Sequence, residues 1–287
     1  MTLLYDLPPQ TEVAKILQRD GVHVLEDVLS PEAVEAIRAD AKWFLAQKPQ
    51  PWLKIDYINE DVHAVISPLH VPRRHRCKLQ SLSTLFSDTF FEKTCKKYLG
   101  EDVVIDRIIV SKSNVSNKPI TMWHADQQNE GRLSFKFMLY LSDSTWESGA
   151  FSYVRGSQSL VQDIVRRAAL KGVPNTELHT FEQIADATNK FGDADQKQYC
   201  ESLKKHITGD YESDDHFSIA AKKGSILMFD TKGIHRGGCV REGERLIVRI
   251  HCFEPENRGN DGRPLIRRLL SRIKRTLLPK PFAWGFK

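Results

Sequence analysis

Apolar positions change period along this chain, from helical spacing near its start to short strand-like runs from about residue 100 onward. In TEVAKILQRDG (residues 11–21) Val13, Ile16 and Leu17 form one stripe, with Thr11 expected as N-cap and Gly21 as the stop. GVHVLEDVL (21–29) then reads as a short strand. Ser30-Pro31-Glu32 is a strong helix start: a hydroxyl cap, a proline at the first position and an acid at the positive end of the dipole. The helix that follows sets Val34, Ile37, Ala41, Phe44 and Leu45 on one face, ready to pack on a sheet. VVIDRIIVSK, TMWHAD, LSFKFMLYLSD, AFSYV, HFSIA, SILMFD and RLIVRIHCF are rich in Val, Ile, Phe and Tyr and are separated by Gly, Asn, Ser and Asp. Strands in such number without alternating helices predict a mainly β protein, an antiparallel sandwich or barrel flanked by N-terminal helices. Residues 160–211 return to a charged, helical pattern and read as an insertion capping one mouth of the barrel.

Composition narrows the class. Hydrophobic residues are 40% and charged residues 28% of the chain, the balance of a folded globular domain. No run approaches the roughly 18 apolar residues of a membrane span, and MTLLYDLPPQ lacks the charged and apolar regions of a secretory leader. Cys77, Cys95, Cys200, Cys239 and Cys252 are scattered and contain no CxxC pair, which fits reduced thiols and a cytoplasmic location. Residues 1–287 are therefore read as a single domain. Its net charge of +5 is uneven: nine Lys or Arg and one Asp between Arg258 and Lys287 give +8, and subtracting that leaves −3 on the preceding 257 residues. A nucleic-acid partner is not expected, because the body lacks a basic face interleaved with aromatics.

Chemistry concentrates in two segments. In TMWHADQQ, His124 and Asp126 are two apart, so an extended backbone points both to one face. His235 follows a strand and a glycine-containing turn in GSILMFDTKGIHRGG, 109 residues after Asp126. Two imidazoles and a carboxylate suit one face of an octahedral Fe(II) and leave three positions open. The bland alternative makes both histidines hydrogen-bonded structural residues and Asp126 a turn cap. ERLIVRIHCF adds a further element, because strand alternation puts Arg245, Ile247, Arg249 and His251 on one face. A guanidinium fork grips a carboxylate bidentately and stays charged. Arg245 is the preferred grip and Arg249 its rival. Lys136, Met138 and Tyr140 alternate on another strand; Lys136 either assists with a carboxylate or lies at a solvated edge.

These segments together resemble the phytanoyl-CoA dioxygenase-like branch of the Fe(II)/2-oxoglutarate oxygenases. The resemblance is carried by Trp123-His124-Ala125-Asp126, Tyr140-Leu141-Ser142-Asp143, the run Gly149 to Ser157, Phe229-Asp230 with His235, and Arg245. The opening RDGVHVLEDVLSPEAVEAI is similar too, so the likeness runs from about residue 10 to 255. It implies a double-stranded β-helix (a jelly-roll, cupin-like core), Fe(II) on His124, Asp126 and His235, 2-oxoglutarate held by Arg245 with Lys136, and O2 as second cosubstrate. It implies a reaction that hydroxylates an unactivated C–H bond and releases succinate and CO2. Desaturation or cyclisation belongs to the same class; the carboxylate at 126 argues against halogenation. Gln158 stands where the family often has His, and the insertion after it is long.

Other candidates carry milder expectations. Trp123 points away from His124 and is read as core, whereas His251 is either a contact in the pocket or a core histidine. The basic cluster His70 to Arg76 is read as a solvated loop, and His179, His206 and His216 as surface residues of the insertion. Residues 263–287 alternate leucines with arginines and end in Phe282, Trp284 and Phe286, the texture of an interfacial helix. Peripheral contact with the inner face of a membrane, and a small-molecule, glycan or lipid-linked substrate, are the matching expectations. A catalytically silent metal-binding module and a zinc hydrolase using the same triad are the rival classes.

Overall fold

The computed structural model describes residues 8–58, 61–66, 71–72, 75, 81, 89–99, 104–116, 121–126, 134–174, 177–207 and 217–253. The basic tail, His216 and most of the cluster His70 to Arg76 lie outside the described residues. Helix α1 (Gln10–Asp20) leads through Gly21 into strand β1 (Val22–Leu25), and α2 (Pro31–Leu45) follows. Ser30 accepts from the Ala33 amide as expected, but α1 starts two residues earlier than the sequence suggests, with Pro9 rather than Thr11 at its cap and no side-chain bond there. Strands β2 (Leu53–Ile58) and β3 (Asp61–Ile66) form a hairpin, followed by α3 (Thr89–Leu99), β4 (Val104–Ser113), β5 (Ser134–Tyr140) and β6 (Phe151–Tyr153). The insertion consists of α4 (Ser157–Ala169), α5 (Phe181–Phe191) and α6 (Ala194–Ile207). Strands β7 (Ser218–Ile219), β8 (Ile226–Asp230), β9 (His235–Gly237) and β10 (Arg245–Phe253) complete the order.

Seven strands form one antiparallel sheet, β1-β8-β5-β10-β4-β3-β2, and three form a second, β7-β6-β9. The hairpin β2–β3 went unread in the sequence, although DVHAVI alternates as a half-buried strand should. TMWHAD, in turn, makes isolated bridges rather than a regular strand.

Alternation divides the large sheet cleanly. Phe135, Phe137 and Leu139 of β5 and Leu246, Val248, Ile250 and Cys252 of β10 pack outward against Val13, Leu17, Val34, Ile37 and Phe44 of the first two helices. Phe44 is fully buried, and truncating such a ring costs about 3–5 kcal/mol. The opposite face contributes Met138, Tyr140, Leu227, Phe229 and Ile247, which meet Phe151, Tyr153 and Ile219 of the small sheet. Two antiparallel sheets therefore face each other across a shared interior, the jelly-roll arrangement expected. Among the described residues no helix is long and apolar enough to cross a membrane.

One fastening joins the layers. Tyr153 stands between Gly21 and Gly233, where a β-carbon would lie 2.3 Å and 1.9 Å from its hydroxyl, and it donates to the Asp230 carbonyl at 3.0 Å. Gly21 also takes the left-handed conformation (φ 74°) that ends α1. Gln158, nearly fully buried, donates to the Gln18 and Arg19 carbonyls at the end of that helix. The departure from the family's His is thus used to tie α1 to the insertion.

Candidate metal centre

His124, Asp126 and His235 meet. Their ligand atoms all lie within 4.8 Å of one another, with Asp126 Oδ1 at 3.5 Å from His124 Nε2 and 3.8 Å from His235 Nε2. Backbone pairing brings them together: the His124 amide donates to the His235 carbonyl (2.9 Å) and the His235 amide returns the bond (2.8 Å). Each ring is fixed the same way, Nδ1 donating to the carbonyl two residues earlier, Met122 or Gly233, at 2.7 Å. With the proton committed to Nδ1, each Nε2 presents a lone pair toward the carboxylate. Ligands about 2.1 Å from an ion and at right angles stand roughly 3 Å apart, so each of the two carboxylate–imidazole separations needs to close by less than about 1 Å to receive a divalent cation. The donor set fits a hard or borderline metal.

Electrostatics agrees. Burial, then the neighbouring His124, push His235 down to about 3 despite Asp126, so its imidazole is neutral and competent as a ligand. Burial raises the Asp126 carboxyl, but the Lys136 ammonium and both histidines outweigh it and hold it well below the usual range. Lys136 bonds directly to Asp126 Oδ2, leaving Oδ1 toward the histidines. In this structure the Lys136 ammonium grips the aspartate. Phe151, Phe229 and Tyr153 surround His235 with ring centroids at 5.6, 5.0 and 6.3 Å, forming an apolar wall.

Arg245 and Arg249 both lie on the interior face of β10, in register with Ser113 and Ile109 of β4, and Arg249 also pairs Met138 of β5. Arg245 is buried, donates to the Gly149 carbonyl and contacts Ser113 Oγ at 3.5 Å, while its Nε finds no partner. Ser113 in turn donates to Asp61 at 3.0 Å, and His63 Nδ1 lies 2.7 Å from Ser111 Oγ. Asp61, His63, Ser111 and Ser113 escaped the sequence reading. Their signal was alternation: two polar residues inside an apolar hairpin strand, and two serines spaced by two at the end of β4. His251 is buried on this face, and Trp123 sits in the core of the insertion as expected, with the Arg236 guanidinium 4.8 Å from its ring.

Two histidines depart from expectation. His179 is half-buried rather than a surface residue: its ring lies 5.2 Å from that of His124 and Nδ1 donates to the Ala125 carbonyl at 2.6 Å. The reason is that residues 179–181 run beside 123–125, the Ala125 amide donating to His179 and the Phe181 amide to Trp123. His75 likewise packs 5.6 Å from Trp43 and 5.5 Å from Trp52 rather than standing in a solvated loop. His206 is exposed, as expected.

Comparisons with known proteins follow the same line. The phytanoyl-CoA dioxygenase (PhyH) family model matches residues 17–243. No curated protein matches the sequence. Among solved structures, the chain is similar to SnoK, a non-heme alpha ketoglutarate dependent carbocyclase from nogalamycin biosynthesis (15% identity, TM-score 0.57, covering 91% of this chain and 89% of that one). It is also similar to EctD from S. alaskensis, determined with bound Fe (15%, TM-score 0.54, 92% and 86%). AviO1 from Streptomyces viridochromogenes Tue57 is a third (12%, TM-score 0.52, 89% and 99%).

Proposed function

The chain belongs to the phytanoyl-CoA dioxygenase (PhyH) family, whose reaction class is that of non-haem iron 2-oxoglutarate oxygenases, and from that premise we propose that it hydroxylates an unactivated C–H bond of a small-molecule substrate. The observation that carries the reading is the convergence of two Nε2 lone pairs and one carboxylate oxygen at the edge of an interior that also holds a buried arginine. EctD has been solved with 2-oxoglutarate and 5-hydroxyectoine, and SnoN with Fe3+, alpha ketoglutarate and a nogalamycin compound; both support a small-molecule substrate without naming this one.

In this reading His124, Asp126 and His235 hold Fe(II), and Arg245 holds the far carboxylate of 2-oxoglutarate. Iron, when bound, couples O2 to oxidative decarboxylation of the oxo acid, so that one oxygen atom enters succinate and the other the substrate, with release of CO2. The protein's own part is positional. The Met122 and Gly233 carbonyls keep both ligand nitrogens unprotonated. Lys136 holds Asp126 Oδ2, so the carboxylate offers a single oxygen to the metal. Phe151, Phe229 and Tyr153 exclude water behind His235, which protects a reactive centre from quenching.

The test is direct. Anaerobic Fe(II) with 2-oxoglutarate should produce a weak visible charge-transfer band, and admission of O2 should yield succinate. His235→Ala should abolish both. Metal-replete protein that shows neither band nor succinate is a silent binding module, and the reading is lost.

A further inference from the structure

Among the described residues the interior face of β10 carries two arginines, Arg245 and Arg249, and the cosubstrate needs one. Arg245 is already engaged with the Gly149 carbonyl and, through Ser113, with Asp61. Arg249, four residues further along the same strand face, donates from Nη2 to Ser111 Oγ at 2.9 Å and lies 3.3 Å from His63 Nδ1. Its Nε is buried and has no hydrogen-bond partner. Met138 and Ile109, both buried, flank it in register on the neighbouring strands. Burial and the like charge of Arg245 push Arg249 down to about 10, the direction of a cation short of a counter-ion. His63, pushed down to about 4 by burial, Arg249 and Arg245, supplies no charge of its own.

Charge counting extends the point. On this face, among the described side chains, Arg245, Arg249 and Lys136 oppose Asp61 and Asp126, a surplus of one positive charge. Lys54 and Asp56, at the β2 edge, cancel each other at 2.8 Å. A divalent ion and a doubly negative oxo acid also cancel, so loading the centre leaves the surplus unchanged. A buried guanidinium without an anion is costly, and a single well-placed oxyanion removes that cost.

We propose that Arg249, with Ser111 and the His63 ring, forms an anion subsite separate from the Arg245 grip, and that the substrate carries a carboxylate, sulfonate or phosphate seated there. This rests on the oxygenase reading and adds the substrate class to it. Anchoring one charged end would fix which C–H bond faces the metal, and it accounts for a second, half-buried arginine on β10 whose Nε is left without a partner.

The experiment uses the full chain loaded with Co(II) and the inert 2-oxoglutarate analogue N-oxalylglycine, at constant ionic strength, with inorganic phosphate and sulfate as probes. Calorimetry should give saturable binding of a probe anion to the loaded wild type. Arg249→Gln should weaken that binding tenfold or more and leave N-oxalylglycine affinity within about threefold, whereas Arg245→Gln should do the reverse. Arg249→Lys, which keeps the charge but loses the fork, serves if the glutamine variant does not fold, and should weaken the probe threefold or more. Absent probe binding in the loaded wild type, unchanged binding in the Arg249 variants, or loss of N-oxalylglycine from Arg249→Gln overturns the subsite. Failure of N-oxalylglycine to bind the wild type at all overturns the oxygenase reading as well, so the two failures are told apart.

Discussion

Removing Lys136 should destabilise the metal-free protein far more than the metal-loaded one. Lys136 and Asp126 form an ion pair whose side chains are 14% and 22% exposed. Two unit charges 4 Å apart at an effective dielectric near 20 attract by about 4 kcal/mol, and deleting one partner of a buried pair costs about 3–5 kcal/mol because the other charge is stranded. Partial exposure argues for the lower end, about 3 kcal/mol in Lys136→Met. With a divalent ion on Oδ1 the carboxylate keeps a counter-charge, and the ion is freed of repulsion from the ammonium, so the loss falls to about 1 kcal/mol on the same arithmetic. By linkage the difference of about 2 kcal/mol must appear as metal binding roughly 30-fold tighter in the variant. Urea denaturation of apo and Co(II)-saturated protein gives the two stabilities, and calorimetry gives the affinity independently. Equal losses in both forms would refute the electrostatic account. Weaker metal binding in the variant would show that Lys136 acts by holding the geometry of Asp126.

Three further outcomes follow from the same site. Gly233→Ala drives a β-carbon to within 1.9 Å of the Tyr153 hydroxyl and displaces the carbonyl that orients His235; about 1–3 kcal/mol of stability and about 10- to 100-fold in metal affinity should be lost, read by thermal melts and metal titration. Arg245→Gln should raise the 2-oxoglutarate KM about 10- to 100-fold, the equivalent of about 1.5–3 kcal/mol for charge-assisted bonds, with metal affinity retained. His63 is held at about 4 by burial and two arginines, so between its unperturbed value and about 4 the unfolded chain binds a proton that the folded one does not. That contribution makes stability fall with falling pH through this window, by about 1.4 kcal/mol per unit at most; His63→Gln should flatten the urea-measured profile there by up to one proton.

The parts of this site that the sequence made legible are those whose geometry is local or rests on a strong period. His124 and Asp126 share a face because they are two residues apart. Arg245, Arg249, Lys136 and Tyr140 could be placed on one surface because β5 and β10 alternate strictly, with Phe137 and Val248 on the other side. The Ser30 cap was visible for a similar reason, since proline and an acid follow it directly. Pairing across a long separation was different. That His124 and His235 exchange backbone hydrogen bonds depends on where the two sheets come to rest, and only the resemblance to a family carried that information in advance.

What escaped was contributed by segments with weak or competing signals. The hairpin β2–β3 places polar Asp61 and His63 inside the barrel, which breaks the usual link between polarity and solvent; they are stable there because Ser113, Ser111 and Arg249 satisfy them. The insertion is helical as its pattern predicts, but His179 is not the surface residue expected of it. Helical periodicity reports which face of α5 is apolar, and it says nothing of residues 179–181 at its start, which pair with 123–125 as an edge strand would. That pairing has a consequence for function. Because the His124 backbone is bonded on one side to His235 and bridged on the other to Thr180, any shift of the insertion is transmitted to His124 through hydrogen bonds rather than through loose side-chain contact.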